Sequence, residues 1–365
     1  MNRSIGRKKT WITAICLLMV AVMALTACSS NNNDTKSSND NTGAKPAKQG
    51  SLLSKVKNRG KVIVAVDTVL PGFGFLDSEG KYSGFDIEIG RAFAAAIFGD
   101  PNAVTMRPVT SQQRFTALQT GEADILSRAT TMSITRDTTL GVRFIPTTFY
   151  DGQGVMVRAD ANIETLKDLN GLRIGVEQGS TTEQNLNEQL RKVGAKAETV
   201  VFENQDAIVA AYEQGSIDAW TSDQSGLVSR LASLKKPADH KILKEVLSKE
   251  PLTPAIKAGD DQWFNVTRWI VYALIQAEEF GITQSNVDEY LKSDDPAIRR
   301  FLGVEGDIGK NLGLDKDFVV KLIKGVGNYG EIFERNLGKD SVFKLDRGIN
   351  GLWTNGGLMY SPPFN

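Results

Sequence analysis

Polar side chains cluster in three segments that each follow a predicted strand, and they suit the binding of a small charged molecule. The segment 127–136 is rich in hydroxyl groups and ends at Arg136, which could hold a carboxylate through two parallel hydrogen bonds. Ser180 and Glu183 have the spacing of a capping box, so Ser180 is expected to open a helix whose free N–H groups attract an anion. Asp223, in the third segment, could receive an ammonium group. Together the three segments favour a site that clamps a zwitterion.

Each of these residues also has a purely structural interpretation. Arg136 could form a surface ion pair with a neighbouring aspartate, and Ser180 and Asp223 could be ordinary helix N-caps. Phe73 and Phe75, in the loop after the first strand, could cover apolar parts of a ligand or belong to the core. No phosphate-binding motif of the GxxxxGK[ST] or GxGxxG type occurs in the sequence.

Short apolar segments alternate with helical ones, which predicts an α/β fold with parallel strands. Residues 61–66 and 171–176 are typical of buried strands because each is a short apolar run beside a glycine. A helix is expected over residues 87–98, with Asp86 as its N-cap. Ligands in open α/β sheets lie beyond the carboxyl ends of the strands, so the polar segments are expected to meet at that edge.

The sequence contains two halves of similar design. Residues 117–124 and 211–218 share a pattern of helix, glycine, two residues, aspartate and apolar strand, about 94 positions apart. Extended segments at 147–157 and 247–256 would carry the chain into a second lobe and back. The predicted limits are 51–149 and 251–365 for lobe 1, and 150–250 for lobe 2.

The composition excludes several classes of function. The chain of 365 residues has 43 basic and 43 acidic side chains, and this balance argues against a nucleic-acid partner. His240 is the only histidine, so a metal site built on several histidines is excluded, and a Ser-His-Asp triad would have to use that residue. The two cysteines, Cys16 and Cys28, both precede the folded part, which therefore has no cysteine nucleophile. We expect no metal, no cofactor and no catalytic residue.

The N-terminus has the pattern of a secretory signal. A basic start is followed by an apolar run over residues 11–25 and by Leu-Thr-Ala before Cys28. This pattern resembles a bacterial lipobox, in which residues 1–27 are removed and the cysteine is acylated. The alternative is a membrane-spanning anchor, for which the apolar run is short and is not followed by a basic segment. The polar composition after Cys28 predicts that residues 28–50 are a lipidated cysteine and a disordered tether.

Several longer segments resemble the solute-binding proteins of polar-amino-acid ABC transporters, most of all the general L-amino-acid-binding branch. The resemblance runs from about Leu52 to Asn365. It implies an α/β, two-lobed periplasmic-binding-protein fold of type II, with two hinge crossings and the ligand in the cleft between the lobes. The segments that carry the resemblance are RFTALQTGEADILSRATT, SITRDTTLG, FYDGQGVMVR, TSDQSG, SKEPLTPAIKAGDDQW, AEEFGIT and LWTNGGLMYSPPF.

The resemblance also implies roles for individual residues. The family holds the ligand carboxylate with an arginine twelve residues after a strand aspartate, which is the spacing of Asp124 and Arg136. Asp223 matches the aspartate that binds the ligand ammonium group. The residues expected around the ligand carboxylate are Arg136, Thr131, Ala129, Ser180 and Thr181. The residues expected in the side-chain pocket are Phe73, Phe75, Arg128 and Leu70, the last at a position where the family often has a stacking tyrosine.

Two functions from different classes remain. The resemblance implies a receptor that captures free L-amino acids outside the cytoplasm and delivers them to the permease subunits in the membrane. We expect a monomer that is anchored by lipid to the outer face of a Gram-positive-type cell membrane, or otherwise lies in a periplasm. The alternative is a cyclohexadienyl dehydratase, an enzyme on a similar fold that would need a placed acid such as Glu177.

Overall fold

Strands and helices alternate along residues 51–365, the part of the chain that the computed structural model describes. The expected signal peptide, Cys28 and the tether lie outside these residues. Within residues 51–365, no helix combines the length and the apolar character that are needed to cross a membrane. The strands are β1 Val62–Val66, β2 Val69–Leu70, β3 Gly74–Leu76, β4 Tyr82–Ser83, β5 Val104–Pro108, β6 Ile125–Leu126, β7 Val142–Phe144, β8 Phe149–Arg158, β9 Arg173–Glu177, β10 Glu198–Phe202, β11 Ala219–Asp223, β12 His240–Ile242, β13 Lys249–Leu252 and β14 Ala255–Lys257. The helices are α1 Leu52–Arg59, α2 Phe85–Phe98, α3 Arg114–Thr120, α4 Ile134–Thr139, α5 Thr181–Lys192, α6 Gln205–Glu213, α7 Gln224–Leu231, α8 Asp261–Glu279, α9 Val287–Tyr290, α10 Pro296–Phe301, α11 Ile308–Leu312, α12 Phe318–Val326 and α13 Tyr329–Asn336.

Two mixed sheets form the framework, and they share one strand order. In the first sheet, β1 lies between β5 and β6 with all three parallel, and the full order is β5-β1-β6-β14-β7. In the second sheet, β9 lies between β10 and β11, again parallel, and the full order is β10-β9-β11-β8-β12. The fourth strand of each order, β14 or β8, is antiparallel to its neighbours. We call the part built on the first sheet lobe 1 and the part built on the second sheet lobe 2.

The antiparallel strand of each sheet is the one that follows a crossing between the sheets. After β7 of the first sheet, the chain enters the second sheet through β8, and it returns through β13 to β14. β13 pairs with β8 in antiparallel register, with Glu250 opposite Asp151 and Leu252 opposite Phe149. The two crossings therefore run side by side as a hydrogen-bonded ribbon.

The repeated sequence pattern has the same local structure in both lobes. α3 is followed by Gly121 and α6 by Gly215, and their φ angles of 79° and 78° lie in the left-handed region that ends many helices. Asp124 and Asp218 then accept a hydrogen bond from the backbone N–H at the start of the neighbouring parallel strand, at 2.7 and 2.8 Å. The two halves of the sequence therefore share one local design.

Helix α8 and the C-terminal segment belong to lobe 1. The indole of Trp263 is fully buried and donates to the Asp124 carbonyl oxygen at 3.2 Å. The ring of Phe364 packs edge-on against Trp269 and Phe301, with centroids 4.9 and 5.0 Å away. The C-terminal tail therefore packs on the helices of lobe 1.

The cap of one helix differs from the expectation. α2 begins at Phe85 with Gly84 at its N-cap, so the prediction of Asp86 as the cap is wrong. Gly84 has a φ of 122°, and a Cβ there would lie 2.3 Å from the Phe73 carbonyl oxygen, so the position requires glycine. Asp86 lies inside the first turn, where its buried carboxylate accepts the Ala129 N–H at 2.7 Å.

Candidate functional site

A cavity lies between the two lobes, at the carboxyl ends of β1, β6, β9 and β11. This is the edge at which open α/β sheets bind their ligands. Residues from each of the three polar segments line this cavity. The cavity is lined by Asp67, Leu70, Ser111, Arg114, Arg128, Ala129 and Thr131 from lobe 1 and by Glu177, Ser180, Thr181, Thr182, Gln205, Ser222 and Asp223 from lobe 2.

The basic end of the cavity is Arg114, which lines it, with Arg136 beside Arg114 and outside the lining that residues 51–365 form. The guanidinium of Arg136, on α4, donates to the Thr131 carbonyl oxygen at 2.8 Å and to the Gly179 carbonyl oxygen at 3.3 Å. Arg114, the first residue of α3, donates to the same Gly179 oxygen at 3.2 Å and to the Thr130 hydroxyl at 3.4 Å. Burial lowers the pKa of both guanidinium groups, and the charge of Arg136 lowers the pKa of Arg114 further. Two desolvated cations side by side would be stabilised by an anion.

The acidic end is Asp223, which lines the cavity, with the carboxylates of Asp151 and Glu250 near it. Asp223 is the last residue of β11, and Asp151 and Glu250 face each other on β8 and β13. Burial raises the pKa of Asp223 well above its usual range, and the charges of Asp151 and Glu250 raise it further. The hydroxyls of Thr131 and Thr181 donate to Glu250 at 2.5 and 2.9 Å. A ligand cation beside Asp223 would therefore relieve the repulsion between these carboxylates.

The remaining part of the cavity, which we call the side-chain end, is formed by Asp67, Ser111, Arg128, Glu177 and Gln205. Arg128 Nη2 lies 2.9 Å from Asp67 Oδ2 and 3.2 Å from Glu177 Oε1, and Nη1 donates to the Ser111 hydroxyl at 2.7 Å. Burial alone would lower the pKa of Arg128, but Asp67 and Glu177 together hold it above its usual value. Gln205 Nε2 donates to Glu177 Oε2 at 2.7 Å. This end is therefore polar and densely hydrogen-bonded.

Of the other residues expected near the ligand, two line the cavity and two do not. Leu70 and Ala129 line the cavity, but the Ala129 N–H donates to Asp86 and so does not face a ligand. Phe73 is only 1% exposed and packs edge-on against two core phenylalanines, so it belongs to the core. Phe75, on β3, is not among the residues of 51–365 that line the cavity.

The start of α5 differs from a capping box. Ser180 occupies the N-cap position, but its hydroxyl donates to the Glu177 carbonyl oxygen at 2.6 Å. The expected reciprocal capping with Glu183 is therefore not formed in the described part of the chain. Asp223 occupies the N-cap position of α7, again without a side-chain cap bond among residues 51–365. The Asp223 carboxylate is thus left to face the cavity.

The two lobes contact each other directly across the cavity. The Arg128–Glu177 ion pair joins lobe 1 to lobe 2. Beyond it, the Ser229 hydroxyl of α7 donates to the Pro71 carbonyl oxygen at 2.5 Å, and Arg230 donates to a carbonyl oxygen of β2. The structure therefore has a closed cleft.

Four residues of the cavity were not expected from the sequence, namely Asp67, Ser111, Arg114 and Gln205. Arg114 opens a helix, and a cation is unfavourable in the first turn of a helix because of the helix dipole. That misplaced charge is a signal that could have marked Arg114 as a functional residue. Gln205 opens α6 behind an ordinary asparagine cap, and its sequence context carries no comparable signal.

Comparison with known proteins identifies the family. The model for bacterial extracellular solute-binding proteins, family 3, matches residues 62–280. The general L-amino acid-binding periplasmic protein AapJ of Rhizobium johnstonii is 51% identical over 319 residues, which cover 87% of this chain and 94% of that protein. The glutamate/glutamine/aspartate/asparagine-binding protein BztA of Rhodobacter capsulatus is 44% identical over 319 residues, with coverage of 87% and 94%.

A solved structure is similar over nearly the whole described chain. It is the ABC transporter periplasmic binding protein from Brucella ovis with glutathione bound, which has a TM-score of 0.84 and 48% identity over 86% of this chain and 99% of that one. This similarity confirms the two-lobed fold that the resemblance implied. The chain therefore belongs to the bacterial extracellular solute-binding proteins of family 3.

Proposed function

We propose that this protein is the extracytoplasmic substrate-binding component of an amino-acid ABC transporter and that it holds a free L-amino acid between its lobes. The observation that carries the proposal is one cavity lined by both Arg114, with Arg136 beside it, and Asp223. An α-amino acid carries one charge of each sign and would neutralise both ends. The names of AapJ and BztA, both amino-acid-binding proteins, support the same substrate class.

The ligand is oriented by the two charged ends. Its α-carboxylate would pair with Arg136, and Arg114 supplies a second guanidinium that the sequence did not predict. Its ammonium group would pair with Asp223, which lies on the opposite lobe. Thr131, Ser180 and Thr181 are the remaining residues proposed for the carboxylate, and their hydroxyls, which donate to Glu250 and to the Glu177 carbonyl oxygen, would turn toward the ligand when it binds. Ala129 contributes only to the wall.

Binding is coupled to closure of the cleft. We propose that the lobes meet at 149/150 and 250/251, which fall within the paired strands β8 and β13. A ribbon of two strands can bend while its hydrogen bonds persist, so the lobes can hinge as rigid bodies. A ligand that contacts both lobes favours the closed form by its extra affinity for that form.

Attachment and partners follow from the N-terminal pattern. We propose that Cys28 is lipidated after removal of residues 1–27 and that residues 28–50 tether a monomeric receptor to the outer face of the cell membrane. A receptor held at the membrane in this way would meet the permease subunits beside it. The partner is therefore the membrane permease of the same transporter.

The chemistry of Glu177 does not favour the dehydratase alternative. That reaction needs an acid that can donate a proton. Burial alone would raise the pKa of Glu177, but Arg128, Ser111 and Gln205 together hold it below its usual value. Glu177 is therefore ionised at neutral pH and is a poor proton donor.

A ligand screen tests the proposal. The purified chain from residue 51 onward is mixed with each of the 20 amino acids, and its thermal unfolding midpoint is measured. A ligand at 100 times its Kd should stabilise the fold by about 2.7 kcal/mol. Glutathione is included because its γ-glutamyl end carries a free α-amino acid group. If none of these compounds stabilises the fold, the proposed function is contradicted. Turnover of arogenate by the purified chain would identify it as the dehydratase instead.

A further inference from the structure

We propose that the side-chain end of the cavity selects amino acids whose side chains donate hydrogen bonds, through a neutral amide or hydroxyl group, over side chains of similar size that only accept them or are apolar. This inference rests on the proposed function and names the substrate class within it. It follows from one unpaired acceptor and from the balance of charge around it.

The unpaired acceptor is Oε1 of Gln205. The Gln205 side chain lines the cavity and is 6% exposed, and Oε1 has no hydrogen-bond partner among residues 51–365. Its Nε2 donates to Glu177 Oε2 at 2.7 Å and to the Ser222 hydroxyl at 3.2 Å. Glu177 is ionised and can only accept, so the amide nitrogen must face it and the amide oxygen must face away. A buried acceptor without a partner is costly, and a donor on the ligand would remove that cost.

Four of the five N–H groups of Arg128 are already engaged. Arg128 Nε donates to the Val109 carbonyl oxygen at 2.9 Å, Nη1 donates to Ser111, and Nη2 is shared by Asp67 and Glu177. An acidic ligand side chain would have to displace one of these carboxylates to form a bidentate pair with the guanidinium.

The balance of charge at the side-chain end also disfavours an acidic ligand side chain. Within the side-chain end, the two carboxylates of Asp67 and Glu177 surround the single guanidinium of Arg128, and all three side chains are at most 8% exposed. Arg114 also lines the cavity and its charge acts on the pKa of Glu177, so these four buried charges balance without a ligand. A further carboxylate brought in by a ligand would leave an uncompensated negative charge in this buried site, whereas a neutral amide or hydroxyl group would not.

Three ligands of similar length separate the cases. L-glutamine donates and accepts, L-glutamate only accepts, and L-methionine does neither. Isothermal titration calorimetry of the wild-type chain from residue 51 onward should give a Kd for glutamine roughly tenfold or more below the Kd values for the other two.

Two variants locate the effect. Gln205→Met removes the acceptor at similar volume, so the preference for glutamine over methionine should fall to within about threefold. Gln276→Met is the matched control, because Gln276 is also 6% exposed but lies on α8 of lobe 1, away from the cavity. It should keep the wild-type preference. Glu177→Gln removes one negative charge, so the Kd values for glutamine and glutamate should lie closer together than in the wild type.

The outcomes distinguish this inference from the proposed function. Equal Kd values of the wild type for all three ligands would overturn the inference and leave an amino-acid receptor. An undiminished preference in folded Gln205→Met would remove Gln205 from the selection. If no amino acid binds, the proposed function itself fails. The wild-type ratios decide the central point even if a variant does not fold.

Discussion

Asp151 and Glu250 lie opposite each other on β8 and β13, the two strands that link the lobes. Burial raises the pKa of Asp151 to about 6, and the charge of Glu250 adds to this shift. Asp223 stands beside them and has its own pKa raised well above the usual range. The ribbon between the lobes therefore carries a cluster of carboxylates next to the proposed ammonium site. Closing the lobes over this cluster favours a ligand with a positive group.

Replacing Asp223 should weaken the binding of ligands that carry an ammonium group and leave the binding of ligands without one unchanged. We expect Asp223→Asn to weaken binding of the best amino acid by 30-fold or more, since truncation of a buried charge pair costs about 2–5 kcal/mol. The des-amino analogue of the same ligand should bind the variant and the wild type alike. Calorimetric Kd values provide the comparison, with the exposed Asp261→Asn as control. Equal losses for both ligands would make Asp223 a structural residue.

Replacing Arg136 should remove the main partner of the carboxylate. We expect Arg136→Ala to lower the affinity for amino acids by roughly 30-fold or more while the fold is retained. Arg143→Ala is the matched control, because Arg143 pairs with Asp261 at the surface of lobe 1. Titration calorimetry and circular dichroism give affinity and fold. Wild-type affinity in Arg136→Ala would shift the carboxylate site to Arg114.

The stability of the ligand-free protein should depend on the protonation of Asp86. Burial raises the pKa of Asp86 to about 7, so the folded protein favours the protonated acid. The stabilisation is complete below the usual value of 3.8 and is lost as the pH rises through about 7. We expect the thermal unfolding midpoint to fall by a few degrees from about pH 5.5 to about pH 8.5.

Asp86→Asn isolates the contribution of this residue to the pH profile. The asparagine oxygen can still accept the Ala129 N–H, but it does not titrate. The variant should therefore show a flatter profile than the wild type, whereas Asp261→Asn should keep the wild-type slope. A wild-type slope in Asp86→Asn would assign the pH dependence to other groups, Asp151 first among them.

Membrane attachment should depend on Cys28. Cys28→Ser in the full chain removes the thiol that a lipid would modify, so we expect the protein to be unprocessed or released into the medium. Detergent phase partition and labelling with a fatty-acid analogue measure the attachment, with Cys16→Ser as the control. A cleaved Cys28→Ser product that stays with the membrane would contradict the lipobox interpretation.

The sequence predicted the framework because local patterns determine it. Apolar runs gave β1 and β9, and the repeated glycine and aspartate pattern gave the ends of α3 and α6 with their strands. The carboxyl ends of those strands then located the cavity, including the segments with Arg136, Ser180 and Asp223. Patterns within single helices and strands are therefore enough to predict this framework.

Two details of the site depend on contacts between segments distant in the sequence, and a third depends on a competing local hydrogen bond. Asp86 resembled a helix cap, but it accepts the backbone N–H of Ala129, 43 residues away. Gln205 lines the cavity because α6 packs beside β9. Ser180 had the spacing of a capping box, yet its hydroxyl donates to the carbonyl oxygen of Glu177, three residues earlier. The spacing of residues along the chain specifies neither the packing of distant segments nor the choice between two local partners.

The most direct test of the account is a crystal structure of residues 51–365 with the best amino acid from the ligand screen. The account predicts the α-carboxylate within hydrogen-bond distance of Arg136 and the ammonium group within hydrogen-bond distance of Asp223, with the ligand enclosed by both lobes. A ligand that contacts one lobe only, or that binds outside the cavity lined by Arg114, Arg128 and Asp223, would contradict it.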